Sequence, residues 1–114
     1  QEIVGTLRYM APEIALQSGK KYDKSVDVFS FGILLWQLCA LEKPFESVDR
    51  DDIKKVVHKG GKRPRTPRWW PRKLRNMMDK CWAANPKKRP SMAQVVATLE
   101  AILLKEGYDV EDSD

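Results

Sequence analysis

Apolar positions set out the chain before any single residue does. From about Lys24 the positions Val26, Val28, Phe29, Phe31, Ile33, Leu34, Leu35, Trp36, Leu38, Cys39 and Leu41 are apolar around the whole circumference of a helix. Such a helix is expected at the centre of a domain, with a short membrane span from Val26 to Leu41 as a poor second, since Asp27, Ser30, Gly32 and Gln37 interrupt it. Before it, Gln1 to Arg8 has no period, and Pro12 suits the first turn of a short helix with Glu13, Ile14 and Leu16, ended by Ser18-Gly19.

After Pro44-Phe45, a shorter helix is predicted with Asp49, Asp51 and Asp52 in its first turn, then Ile53, Val56 and Val57, and a stop at Gly60-Gly61. The stretch from Lys62 to Trp70 is a connector. Pro71 starts the next helix, whose Leu74, Met77, Met78, Cys81 and Trp82 recur at i, i+3, i+4, i+7 and i+8 until Asn85-Pro86. In the last helix Ser91 and Gln94 form a capping box. Met92, Val95, Val96, Leu99, Ile102 and Leu103 then make one stripe, with Gly107 as C-cap. No strand and no repeat is evident, so the expected architecture is about five helices around a buried one.

Composition adds little to this picture: 114 residues with 42% hydrophobic content make one small domain with a real core. Cys39 and Cys81 fall among apolar residues outside any C-x-x-C pair, and buried free thiols in a reducing compartment are expected. With the single His58 they are too few for a zinc site, and His58 itself is expected as a surface residue near a helix end.

Charge changes the picture more. The net value is +5, but no acid lies between Asp52 and Asp79, where Lys54, Lys55, Lys59, Lys62, Arg63, Arg65, Arg68, Arg72, Lys73 and Arg75 accumulate. The sign reverses in Glu106, Asp109, Glu111, Asp112 and Asp114, read as a solvated, mobile tail with a regulatory contact as the alternative. The basic run with Trp69-Trp70 has the ingredients of a nucleic-acid surface, although prolines and adjoining tryptophans more commonly wedge a connector against a bundle and a charge run such as this is expected to be a solvated surface.

The densest chemistry is Gly5-Thr6-Leu7-Arg8-Tyr9-Met10-Ala11-Pro12-Glu13. Together with Asp27-Val28-Phe29-Ser30-Phe31-Gly32-Ile33-Leu34-Leu35-Trp36, then Pro44-Phe45, then Cys81-Trp82, Asn85-Pro86 and Arg89-Pro90, it resembles the protein kinase superfamily from the end of the activation segment to the last helix. The wording resembles the serine/threonine type and its tyrosine-kinase-like branch. The fold class implied is mainly α: the helical C-terminal lobe of the protein kinase fold, without the N-terminal β lobe and the catalytic loop. Residues 1–105 form the kinase part and 106–114 the acidic tail.

The resemblance also implies roles. Gly5, Thr6, Leu7, Arg8 and Tyr9 position the substrate, with the Thr6 hydroxyl bonding the catalytic aspartate and lysine. Glu13 and Arg89 form a structural ion pair, the alternative being two exposed charges worth ~0 to 1 kcal/mol. Asp27 braces the catalytic loop, or on its residues alone is a helix N-terminal acid that can accept backbone N–H bonds.

Phosphoryl transfer also needs a Gly-rich loop, a phosphate-contacting lysine, a catalytic aspartate and magnesium ligands, and none of those motifs stands in this sequence. The chain is therefore expected to be a C-terminal fragment that binds no cofactor or metal and is inactive alone, while the complete kinase uses ATP and Mg²⁺. Expected partners are a protein substrate and the N-terminal half of the domain, with no specific nucleic acid and no membrane, in an intracellular, cytoplasmic setting. A pseudokinase or regulatory docking module, and more remotely a basic nucleic-acid-binding helical domain, are the alternatives.

Overall fold

A computed structural model describes residues 7–17 and 23–105. Gly5, Thr6, Ser18, Gly19, Gly107 and the acidic segment 106–114 lie outside the described residues. Among those described there is no strand. The elements are α1 (Pro12–Ala15), α2 (Ser25–Ala40), a 3-10 turn (Arg50–Asp52), a π-helix (Lys54–Lys59), α3 (Arg72–Cys81), a second 3-10 turn (Pro86–Lys88) and α4 (Met92–Lys105).

Each boundary has a local cause. Pro12 opens α1, where its missing N–H costs nothing. The Ser25 N–H donates to Asp23 Oδ1 at 2.9 Å ahead of α2, so Asp23 and not Asp27 satisfies an orphan donor at this end. Pro71 flanks α3 and precedes its first helical residue, one position later than the sequence suggested. The capping box is formed in both directions: Gln94 N–H donates to Ser91 Oγ at 3.1 Å, and Ser91 N–H to Gln94 Oε1 at 2.9 Å.

The main core joins Ala11, Phe29, Ile33, Trp36, Phe45, Ile53, Val57, Trp70, Met78 and Trp82. A second cluster of Val28, Met77, Cys81 and Val95 binds α2, α3 and α4 together. Gly32 sets the α2–α3 distance, since a Cβ there would stand 2.7 Å from Cys81 Cβ.

Four expectations fail. The α2 helix is not buried all round: Leu38 is 62% exposed and Leu41, in left-handed backbone at its C-cap, 88%. Cys39 lies on that same open side, so only Cys81 is a buried thiol, and burial raises the latter's pKa to about 11. In α4 only Val95 is fully buried, with Met92, Val96 and Leu103 exposed. The segment after Asp52 is a π-helix, and His58 on it is buried at 6% exposure. At 3.6 residues per turn His58 would lie about 140° from Ile53 and point away from the core. The wider π turn rotates it inward beside Ile53 and Val57. No helix of the described residues is long and apolar enough to cross a membrane.

Candidate functional site: the Leu7–Glu13 loop and its supports

The loop entering α1 is held residue by residue. Leu7 packs on the main core. The Arg8 guanidinium donates to the carbonyls of Pro44, Phe45 and Val48, at 3.3 Å to Pro44 and 3.1 Å to Val48. Phe45 needs that support, because it is a buried non-glycine residue with φ of 56°, a conformation L-residues avoid.

Tyr9 is tied at both ends. Its hydroxyl donates to Gln37 Oε1, and its carbonyl accepts from Ser30 Oγ at 2.8 Å, both partners being on α2. The next carbonyl, that of Met10, accepts from His58 Nε2–H at 3.0 Å. A carbonyl cannot donate, so this bond fixes the Nε2–H tautomer and leaves the buried Nδ1 without a hydrogen-bond partner among the described residues. Burial pushes the His58 pKa down, a shift that the Met10 bond opposes and the neighbouring Arg63 charge reinforces. His58 is thus a neutral clamp on the loop.

Glu13 and Arg89 meet across 76 positions of sequence in a two-point pair: NH1 donates to Oε2 at 2.7 Å and NH2 to Oε1 at 3.0 Å. The Arg89 side chain is fully buried, with Glu13 at 12% exposure. Arg89 also donates through Nε to the Ala83 carbonyl at 2.9 Å and through NH1 to the Ser25 carbonyl at 3.2 Å, while its guanidinium carbon lies 5.1 Å from the Phe29 ring centroid. Burial pushes the Glu13 pKa up, but the Arg89 hydrogen bonds and charge outweigh it, and the net shift is downward. The pair bolts α1 to the turn between α3 and α4 and to the start of α2.

Arg63 is a residue that charge counting misplaced. Within the basic run it is half-buried: Nε donates to the Trp82 carbonyl at 2.8 Å, NH1 to those of Val57 at 3.1 Å and Lys62 at 2.9 Å, and the cation lies 5.1 Å from the same Phe29 ring. Nothing in its local sequence separates it from its solvated neighbours. Of the two tryptophans, Trp70 wedges into the core, whereas Trp69 is 82% exposed between Arg68 and Arg72.

Asp27 stands apart from these bonds. It is exposed and makes no side-chain hydrogen bond among the described residues. It lines an apolar cavity of about 630 Å³ with Tyr9, Met10, Ile14, Ser30, Phe31, Leu34 and Met92. That cavity opens against the anchored loop. Among the described residues no three His, Cys, Asp or Glu side chains gather to hold a metal ion.

A buried Glu–Arg bolt, a clamped loop and one central helix together match the order of motifs that pointed to the kinase superfamily. The family model described as protein tyrosine and serine/threonine kinase matches residues 2–99. The chain belongs to this kinase family.

Its relatives include a probable LIM domain-containing serine/threonine-protein kinase of Dictyostelium discoideum, 39% identical over 87% of this chain and 15% of the relative. A serine/threonine/tyrosine-protein kinase of Arabidopsis thaliana is 38% identical over 85% of the chain and 24% of its own length. A second Arabidopsis serine/threonine-protein kinase is 34% identical over 96% and 19% respectively. The chain thus spans less than a quarter of the length of these kinases. The helical, strandless fold of the described residues is that of the kinase C-terminal lobe.

Proposed function

We propose that this chain is the substrate-positioning part of a protein serine/threonine kinase of the tyrosine-kinase-like branch, which in its complete form transfers the ATP γ-phosphoryl to serine or threonine of protein substrates with Mg²⁺. The observation that carries the reading is the anchoring of the Leu7–Met10 loop, in which Arg8, Tyr9 and the Met10 carbonyl are each tied to elements of the main core. Positioning a peptide hydroxyl for in-line attack demands such rigidity, because sub-ångström placement decides how often the reacting atoms meet.

Within this reading Gly5, Thr6, Leu7, Arg8 and Tyr9 present the acceptor residue, and Thr6 donates its hydroxyl hydrogen bond to the catalytic machinery. The nucleotide and Mg²⁺ belong to the upstream half of the domain, whose catalytic loop sits over the apolar cavity with Asp27 as its brace. The chain alone binds neither and is inactive, and the complete kinase works in the cytoplasm. The names of two relatives, a serine/threonine/tyrosine-protein kinase and a dual specificity protein kinase, favour a second reading in which tyrosine is also an acceptor.

The test is a domain completed by its upstream half and given Mg-ATP and a mixed protein substrate, with phosphoamino-acid analysis of the product. Phosphoserine and phosphothreonine are expected. Added phosphotyrosine would select the dual-specificity reading, and no transfer despite binding of a protein partner would replace both with a pseudokinase.

A further inference from the structure

Helices α3 and α4 lie side by side and leave a groove of about 790 Å³ between them. Lys73, Lys80 and Lys88 line it, with Asn76, Gln94 and Thr98 as polar neighbours. Among the described residues no carboxylate lines it. Arg89 reaches it too, but its charge is matched by Glu13, whereas the three lysines have no acidic partner within 4.0 Å among the described residues. Asp79 and Glu100 belong to the same helices and stay outside the lining. Like charges converging on a concavity raise its potential, and an anionic chain laid along it relieves that.

We propose that the acidic segment 106–114 of this same chain docks in the groove, folding back from the end of α4 to set its carboxylates against Lys73, Lys80 and Lys88. The inference is independent of the kinase reading. Charge is the first support: the segment holds Glu106, Asp109, Glu111, Asp112 and Asp114 and no lysine or arginine.

Connection is the second. The α4 helix ends at Lys105, one turn beyond Ala101, which lines the groove. Reach is the third: nine residues extend up to ~30 Å, against the ~10 Å of helix between Gln94 and Ala101. Gly107 supplies a residue able to reverse the backbone close to the helix end. Exposed lysine–carboxylate pairs are individually weak, but a tether this short holds the acids at high effective concentration. An acidic segment of another protein would have to displace this one without the advantage of a tether.

The test is acetylation of lysines by an N-hydroxysuccinimide ester at low salt, read by mass spectrometry, on the full chain and on one ending at Lys105. Lys73, Lys80 and Lys88 are expected to react about threefold faster or more without the segment, while Lys54, Lys55 and Lys59 keep their rates. A full-length variant carrying Asp109→Asn, Glu111→Gln, Asp112→Asn and Asp114→Asn guards against a truncation that merely loosens the fold, and should show the same increase. About 1 M salt, with a screening length of about 3 Å, should abolish the difference. Equal groove-lysine rates in the full-length chain and the charge-neutralised variant overturn the proposal. So does protection that grows with protein concentration, which would assign the groove to a second copy.

Discussion

The two sides of α2 carry similar apolar side chains and meet different surroundings. Val28, Phe29, Ile33 and Trp36 are buried against α3, the π-helix and the turn after α2, and Phe29 underlies both Arg63 and Arg89. Leu34, Leu38 and Leu41, at i, i+4 and i+7, remain open to solvent. Hydropathy reports that a side chain favours burial but carries no information about what buries it. The covered side is fixed by groups distant in sequence, and the open side borders the cavity shared by Asp27 and the anchored loop.

The largest expected effect comes from the bolt resting on the covered side. Arg89→Ala leaves the Glu13 carboxylate without its cation and should destabilise by about 3 to 5 kcal/mol in denaturant melts. The double variant with Glu13→Ala should cost clearly less than the two single variants summed, because the orphaned charge is gone. Strictly additive losses would mean that the pair carries no coupling.

The two sides of α2 should respond differently to Ile33→Ala and Leu38→Ala. The first empties a site with no exposure and should cost about 2 to 5 kcal/mol, the second under about 0.5 kcal/mol. Leu38→Ser should also reduce association and hydrophobic-dye binding, as expected when an exposed apolar patch drives contact. Equal losses at both sites would show that the open side is covered after all. Gly32→Ala sharpens the same contrast, since the added Cβ meets Cys81 and should cost about 1 to 3 kcal/mol.

Acidity offers a smaller effect with a defined sign. His58 is held neutral below its ordinary value of 6.5, so the unfolded chain takes up its proton first. The stability contributed by neutral His58 is present above about pH 6.5 and is lost as pH falls through the lowered folded value. Glu13, also shifted down, adds a second loss beginning below its ordinary 4.5. His58→Ala should flatten the first window only, as checked by denaturant midpoints from pH 7.5 to 4. The smallest effect concerns Trp69: if the basic run is only a solvated surface, nucleic acid should bind no tighter than ~10⁻⁴ to 10⁻⁶ M at physiological salt, unchanged by Trp69→Ala.

Where local grammar rules, the sequence was legible. Pro12, the Ser91–Gln94 capping box and the apolar run of α2 each predict an element that the structure contains. The meeting of Glu13 with Arg89 was legible through motif order, because the two lie 76 positions apart and no local rule joins them. His58 was misplaced because a histidine near a helix end is at home on the surface, whereas here the helix is a π-helix and the imidazole is buried against the Met10 carbonyl. Arg63 was misplaced because charge suggests solvent, while its hydrogen-bond acceptors are carbonyls set by tertiary packing. Asp27 was assigned a partner by resemblance and has none among the described residues, which leaves its role to the completed domain.

The central claim is that this chain positions the substrate hydroxyl for phosphoryl transfer, and Thr6 tests it most directly. In the completed domain, the rate of phosphoryl transfer should fall on the order of 10²-fold for Thr6→Ala with nucleotide affinity nearly unchanged, the loss of one oriented bond that matters in the transition state. Thr6→Ser, which keeps the hydroxyl, should retain far more activity. A correctly folded Thr6→Ala domain that transfers phosphate at the full rate would contradict the account.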